Sequence, residues 1–192
     1  MNKKYLENEK SVLLKFSEHK IIPVAKIDSL EDADTIAKRI ISAGYNTAEI
    51  TYRTSCAGDC IRYISQKYPE LLVGAGTVCD VKTAKDAVKN GARFIVMPGF
   101  DKKTVAYCIK KGVPVVPGVA TPSEVMAALA TGLTVLKLFP SEVLGGTKFI
   151  KALAGPFGKA KFIPTGGITE ENSKEYLSLS NVIAVGGTWV VK

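Results

Sequence analysis

Eight short apolar runs alternate with helical patterns along the chain, and this alternation is the strongest constraint on its fold. The runs begin every 21 to 26 residues, at positions 21, 47, 71, 93, 114, 135, 161 and 182. Strands that alternate with helices are typical of α/β folds with a parallel sheet. Eight repeats favour a closed (β/α)₈ TIM barrel over an open doubly wound sheet. The stretch GAGTVC at 74–79 lacks the third glycine of a dinucleotide fingerprint, so it gives the open sheet little support.

No linker or change of composition divides the chain, so we expect one (β/α)₈ domain over residues 1–192. A helical pattern over about residues 7–19 predicts an N-terminal helix that caps the bottom of the barrel. Only a few residues follow the eighth run, so we expect the eighth helix to be missing or truncated. Apolar surface beside the first and last strands would then remain for a partner subunit to cover.

Polar and glycine residues predict where the helices begin and end. Thr121-Pro122-Ser123-Glu124 combines an N-cap threonine, a proline at the first helical position and a glutamate at the third. Further N-caps are expected at Ser29, Asp80, Asp101 and Thr169, and helix ends at Gly44, Gly91, Gly112 and Gly132.

Composition excludes several classes of function. The N-terminus lacks the apolar core of a signal peptide and no apolar run reaches membrane-spanning length, so we expect a cytoplasmic protein without membrane contact. The net charge of +8 is spread over separate amphipathic helices without a basic block, which argues against nucleic acid and suits small anionic substrates. With one histidine and four cysteines outside any CxxC pair, we expect no transition-metal site.

The stretch TVLKLFP at 134–140 places one amine, Lys137, in a run that otherwise predicts a strand buried on both faces. A buried ammonium group is costly unless it is paired, solvated in a cavity or deprotonated. Lys137 shares a strand face with Phe139, and Glu49 shares one with Arg53. If both faces line the lumen, Glu49, Arg53 and Lys137 meet at the C-terminal mouth of the barrel, where TIM barrels carry their active sites.

A buried ion pair between Lys137 and Glu49 with a purely structural role is the alternative explanation. Buried pairs seldom add much stability, whereas an acid, an amine and a guanidinium group together are typical of a functional site. Lys26, near the end of the first run, is a competing amine. Its neighbour Asp28 and its position favour a loop charge or a contact with an anion.

Two glycine-rich loops follow the last two runs. They are PTGGIT at 164–169 and VGGTW at 185–189, at the strand ends where many barrels bind phosphate through backbone amides. Together they predict a phosphate group on the ligand.

Eight motifs stand in one order between about residue 20 and the C-terminus: AEITYRT, VGAGTV, VMPGF, VPGVATPSE, LKLFP, AGPF, PTGGI and GGTW. This ordered set resembles the 2-keto-3-deoxy-6-phosphogluconate (KDPG) / 4-hydroxy-2-oxoglutarate (KHG) aldolase family of class I Schiff-base aldolases. The resemblance implies a phosphorylated 2-keto acid substrate that is split into pyruvate and glyceraldehyde 3-phosphate, as in Entner–Doudoroff metabolism. It also implies a homotrimer that uses no metal and no other cofactor. Lys26 stands where some relatives have arginine, which leaves the substrate preference open.

The resemblance assigns roles to individual residues. It implies that Lys137 forms the Schiff base and that Glu49 transfers protons. The other implied contacts are Arg53 and Thr77 for the substrate carboxylate, Pro98 and Phe139 for the pyruvate pocket, Thr165 for stereochemistry at the carbinol carbon, and Gly166, Gly167, Gly187 and Thr188 for the phosphate.

The chemistry of the residues agrees with those roles, because burial favours the neutral amine, which is the nucleophilic form of lysine. Three alternatives stay open. The main substrate could be the unphosphorylated KHG, which yields pyruvate and glyoxylate. The chain could instead be an isomerase or epimerase on a similar barrel, or a phosphate-binding barrel without catalysis.

Overall fold

The computed structural model describes residues 1–191. Within them, helices and strands alternate after an N-terminal helix. The α-helices are α1 (Lys3–His19), α2 (Asp32–Ser42), α3 (Ala57–Lys67), α4 (Val81–Lys89), α5 (Lys102–Lys111), α6 (Pro122–Leu129), α7 (Gly146–Ala154) and α8 (Glu170–Leu177). The strands are β1 (Ile21–Ala25), β2 (Thr47–Thr51), β3 (Leu72–Gly76), β4 (Ile95–Val96), β5 (Val115–Val116), β6 (Gly118–Val119), β7 (Val135–Leu138), β8 (Lys161–Pro164) and β9 (Val185–Gly187).

The eight predicted runs become nine strands because the fifth run is divided at Pro117. Proline has no amide hydrogen and therefore interrupts a strand ladder. The Pro117 carbonyl still accepts a hydrogen bond from the Lys137 amide at 2.9 Å, so the chain stays beside β7 through the interruption.

All the strand pairs within residues 1–191 are parallel. Six strands form one sheet in the order β5-β4-β3-β2-β1-β9, and three form a second in the order β6-β7-β8. Isolated bridges from Phe162 to Val182 and from Thr165 to Gly186 link the second sheet to the chain around β9. The molecule is thus an α/β fold with parallel strands and surrounding helices.

The strands are buried on both faces because their two sets of alternate side chains meet different partners. Ala48 and Ile50 of β2 belong to a cluster that also contains buried residues of α2, α3 and α4. Glu49, between them, faces the opposite side of the sheet. That side carries the inner cluster, which we define as Val12, Phe16, Ile22, Leu72, Phe94, Val96, Val116, Val135, Ile163 and Ala184.

Helix α1 contributes to the inner cluster from the N-terminal side of the strands. It spans residues 3–19, four residues longer at its start than predicted, because Asn2 caps it by accepting a hydrogen bond from the Tyr5 amide at 2.8 Å. The rings of Phe16 and Phe94 meet edge to face with their centroids 5.0 Å apart. The N-terminal helix expected from the sequence is therefore present in the fold.

Most predicted helix ends are correct. Thr121 and Glu124 form the complete capping box at α6. Asp80, Asp101 and Thr169 are the N-caps of α4, α5 and α8, and the four expected glycines adopt positive φ angles. The prediction for Ser29 is wrong by two residues, because the α2 cap is Glu31 and Ser29 accepts from the Asp32 amide in the turn before the helix.

Within residues 1–191, a short 3₁₀ turn over Trp189–Val191 follows β9. This turn packs against β1 and α2, and the Val191 carbonyl accepts a hydrogen bond from Arg39 Nη1 at 2.9 Å. In this described part of the chain, no helix is both long and apolar enough to cross a membrane.

Candidate active site

Lys137 and Glu49 form a buried pair between β7 and β2. Their residues are 4% and 3% exposed, and Lys137 Nζ lies 3.7 Å from Glu49 Oε1. Within residues 1–191, Glu49 Oε1 has no hydrogen-bond partner. The ammonium group of Lys137 also lies 5.2 Å from the centre of the Phe139 ring, within the range of a cation–π contact. The structure thus brings together Lys137 and Glu49, two of the three side chains that were expected to meet at the mouth of the barrel.

A glycine on the neighbouring strand makes room for the Glu49 carboxylate. Gly76 of β3 is paired with Thr51 of β2, and a side chain on Gly76 would overlap the Glu49 carboxyl group. Gly76 was not among the site residues predicted from the sequence. Its signal was a glycine inside a strand, which often marks a close approach of another group.

Lys26 does not share the environment of Lys137. Its side chain is 50% exposed and forms an ion pair with Asp28. The interpretation of Lys26 as a loop charge therefore agrees with its surroundings.

Arg53 and Thr77 follow the C-terminal ends of β2 and β3. Arg53 is exposed, and within residues 1–191 it forms no ion pair with Glu49. Thr77 is half-buried and has a φ angle of 58°, in the left-handed region. That conformation is strained for a β-branched residue, and such strain is common at ligand sites. No sequence pattern predicted the strain.

Pro98 lies after β4 and lines a cavity of about 210 Å³ together with Val78, Cys79, Met97, Gly99, Phe100 and Asp101. Neither Lys137 nor Glu49 contributes to this lining. Pro98 nevertheless lies beside β6, because a side chain on Gly118, the β-partner of Lys137, would overlap the Pro98 carbonyl. The lining of the cavity therefore reaches the chain beside β6 without including either member of the buried pair.

Asp101 is the one carboxylate among the residues that line this cavity, and its hydrogen bonds show that it caps helix α5. Asp101 Oδ2 accepts from the amide and the hydroxyl of Thr104, at 2.8 and 2.6 Å. These bonds lower the pKa of Asp101 below its ordinary value. The carboxylate is thus engaged as the cap of α5.

The two glycine-rich loops lie side by side after β8 and β9. Thr165 is half-buried and is paired with Gly186, while Gly166 and Gly167 have φ angles of 93° and 78°. Gly187 is buried and the following residue, Thr188, is exposed. Within residues 1–191, the backbone amides of Gly166, Gly167 and Thr188 donate to no protein acceptor. These donors can bind an anion.

The Phe139 ring joins the Gly166 loop to the buried pair. A side chain on Gly166 would come within 3.2 Å of this ring, which itself contacts Lys137. The half-buried ring therefore lies between the reactive amine and the glycine loop. In the described part of the chain, no group of three or more His, Cys, Asp or Glu residues is placed to hold a metal ion.

The fold and the site define an α/β protein whose polar residues gather at the C-terminal ends of parallel strands. A family model described as "Aldolase: KDPG and KHG aldolase" matches residues 12–192. The chain therefore belongs to the KDPG and KHG aldolase family.

Individual relatives are similar over most of their length. The 2-dehydro-3-deoxy-phosphogluconate aldolase of Treponema pallidum is 43% identical over 172 residues, which are 90% of this chain and 82% of the relative. The KHG/KDPG aldolase of Escherichia coli K12 is 39% identical over 171 residues, 89% of this chain and 80% of the relative. The KDPG aldolase of Legionella pneumophila, solved with pyruvate as a covalent carbinolamine intermediate, superposes with a TM-score of 0.90. It is 39% identical, and the match covers 93% of this chain and 87% of that one.

Proposed function

We propose that this chain is a class I aldolase that cleaves KDPG to pyruvate and glyceraldehyde 3-phosphate through a Schiff base on Lys137. The observation that carries the proposal is the burial of Lys137 Nζ at 3.7 Å from the Glu49 carboxylate. The adjacent carboxylate can accept the proton that the amine must lose before it attacks a ketone, and it can move the further protons that carbinolamine chemistry requires.

A closed barrel over a single domain of residues 1–192 is part of the proposal. The inner cluster supports it, because this cluster combines residues of β1, β3, β4, β5, β7 and β8 with two residues of α1. Two contacts lie where one sheet meets the other. One is the bridge from Thr165 to Gly186, and the other is the hydrogen bond from the Gly118 amide to the Gly99 carbonyl. Closure brings the ends of β2 and β7 to one mouth.

The reaction begins at the carbonyl carbon C2 of the substrate. The neutral amine of Lys137 attacks C2, and the resulting carbinolamine loses water to give a protonated imine. Removal of the C4 hydroxyl proton by Glu49, directly or through water, then breaks the C3–C4 bond. The bonding electrons pass to the imine, which leaves an enamine on Lys137 and releases the aldehyde. Protonation at C3 and hydrolysis release pyruvate and restore the amine.

The two ends of the substrate are held by different groups. Arg53 binds the carboxylate with its planar guanidinium group, together with Thr77, while Pro98 and Phe139 line the pyruvate pocket. Thr165 influences the configuration at C4. The phosphate is bound by Gly166, Gly167, Gly187 and Thr188. The free amides at three of those positions support this assignment.

KHG is a second candidate substrate, because the Escherichia coli relative carries both substrates in its name. Measurement of kcat/KM with KDPG and with KHG decides which one is preferred. A higher value with KDPG supports the phosphate assignment, and a role in Entner–Doudoroff metabolism follows from that substrate.

We also propose a cytoplasmic homotrimer. Val143 and Met126 are 84% and 63% exposed, and such apolar side chains are candidates for a subunit interface. Light scattering after size exclusion should give three times the chain mass of 20.5 kDa. Fractionation of the cells that produce the protein tests the proposed cytoplasmic location.

The decisive experiment is borohydride reduction in the presence of pyruvate, followed by peptide mass mapping. We expect a stable adduct on Lys137 and none on Lys26, the matched exposed amine. A Lys137→Ala variant should lose both the adduct and the cleavage of KDPG. An adduct on Lys26, or full activity of Lys137→Ala, would contradict the proposal.

A further inference from the structure

The loop after β7 carries a carboxylate directly beside the glycine loop. The amide of Glu142 donates to the Gly166 carbonyl at 3.1 Å, and the amide of Ser141 donates to the Thr165 carbonyl at 2.8 Å. Gly167 leaves no space for a side chain, because its Cβ would lie 2.5 Å from Glu142 Cβ. An exposed acidic residue, Glu142, therefore lies next to the glycine loop whose amides are assigned to the phosphate.

Two anions compete for such a site. Free backbone amides can bind a carboxylate as well as a phosphate, and like charges placed together repel each other. A mobile Glu142 side chain could fold over the amides of Gly166 and Gly167 and exclude the phosphate. The position of its carboxylate therefore decides whether this loop can bind a phosphorylated substrate.

Tyr176 of α8 fixes that carboxylate. Tyr176 is 1% exposed, and its hydroxyl donates to Glu142 Oε1 and accepts from Ser141 Oγ at 3.3 Å. Burial and the bond to Glu142 raise the pKa of Tyr176 to about 12, so the hydroxyl remains a donor at neutral pH. Gly146 has a φ angle of 59°, and its Cβ would lie 2.9 Å from the tyrosine oxygen, so a side chain there would crowd this hydroxyl.

We propose that Tyr176 is a positioning residue that holds the Glu142 carboxylate away from the phosphate-binding amides and so sets the affinity for phosphorylated substrates. The inference rests on the proposed function, because it needs the phosphate at the glycine loops. Tyr176 touches neither the substrate nor Lys137 in this scheme. Its effect passes through Glu142.

The test compares Tyr176→Phe, Glu142→Gln and the double variant with the parent protein. Two readouts are used: the Kd for inorganic phosphate by calorimetry, and kcat/KM for KDPG relative to the same sugar acid without its phosphate. We expect Tyr176→Phe to weaken phosphate binding and to lower that kcat/KM ratio, each about tenfold. The double variant should recover most of the loss, because the released side chain then carries no charge.

A matched control is Tyr68→Phe, which removes another tyrosine hydroxyl bonded to a carboxylate, 2.6 Å from Asp34 Oδ1. It should change neither readout. Equal losses with both sugar acids, or no recovery in the double variant, would show that Tyr176 acts only on stability and would overturn the inference.

Glu142 is exposed, so its substitution avoids the risk to folding that a change at the buried Tyr176 carries. Glu142→Ala should bind phosphate at least as tightly as the parent, and weaker binding would also overturn the inference. Borohydride trapping of pyruvate on Lys137 reports separately on the proposed function. The yield of the trapped adduct should be the same in all these variants. If the parent protein gives no adduct, the proposed aldolase activity is contradicted. The role of Tyr176 is then still tested by the phosphate titration.

Discussion

Separate removal of the two charges of the buried pair tests how strongly they depend on each other. Lys137→Met and Glu49→Gln keep the approximate volume of each side chain while removing its charge. Each single variant leaves one buried group without its partner, at 4% or 3% exposure. The double variant leaves neither charge.

The magnitude follows from the separation of the two atoms. For unit charges 3.7 Å apart, Coulomb's law with an effective dielectric constant of about 20 gives an attraction of about 4.5 kcal/mol. Desolvation of both groups offsets most of this attraction in the folded protein. Each single variant should therefore lose about 3 kcal/mol of unfolding free energy, whereas the double variant should lose much less than the sum of the two losses.

Urea unfolding of the four proteins measures this coupling energy. The ion pair of Lys3 and Glu7 is a matched control, because its atoms are 3.8 Å apart while its side chains are 93% and 64% exposed. Removal of both charges there should show coupling within measurement error. The reasoning is refuted if the buried pair couples no more strongly than the exposed pair.

Three further predictions concern other sites. Gly76→Ala should displace the Glu49 carboxylate and lower kcat at least about tenfold. Gly158→Ala is the control and should leave kcat unchanged, because Gly158 has open space around it. Steady-state kinetics with KDPG measure both values. Phe94→Ala should lower the unfolding free energy by about 3–5 kcal/mol, because Phe94 is fully buried in the inner cluster; an unchanged urea midpoint would contradict this. Burial raises the pKa of Glu9 in the folded protein, so the protonated form stabilises the fold. This contribution to the unfolding free energy is complete below the unfolded-state pKa, and it is lost as the pH rises through the folded-state pKa. Glu9→Gln should therefore be more stable than the parent at pH 7 and similar to it at about pH 4, and parallel stability curves would argue against this origin.

The alternation of strands and helices could be predicted from the sequence because each element has a local signal. Strands appear as short apolar runs, and helices carry caps such as Thr121 and end at glycines such as Gly112, whose φ angle is 72°. The division of the fifth run at Pro117 also had a local cause, because proline cannot donate to a strand ladder. Whether a second strand follows the proline depended on the strand that lies beside residues 118–119 in the fold. The start of α1 was missed, since a single Asn2 cap is a weak signal near a chain end.

The sequence by itself determined which face of each strand carries Lys137 and Glu49, because side chains alternate along a strand with a fixed period of two. Only the tertiary structure decided that these two groups approach to 3.7 Å, since strands from distant parts of the chain had to be brought together. The same is true of the space that Gly76 leaves for Glu49 and of the bond from Tyr176 to Glu142. Both depend on contacts between residues far apart in the sequence, which no local pattern encodes.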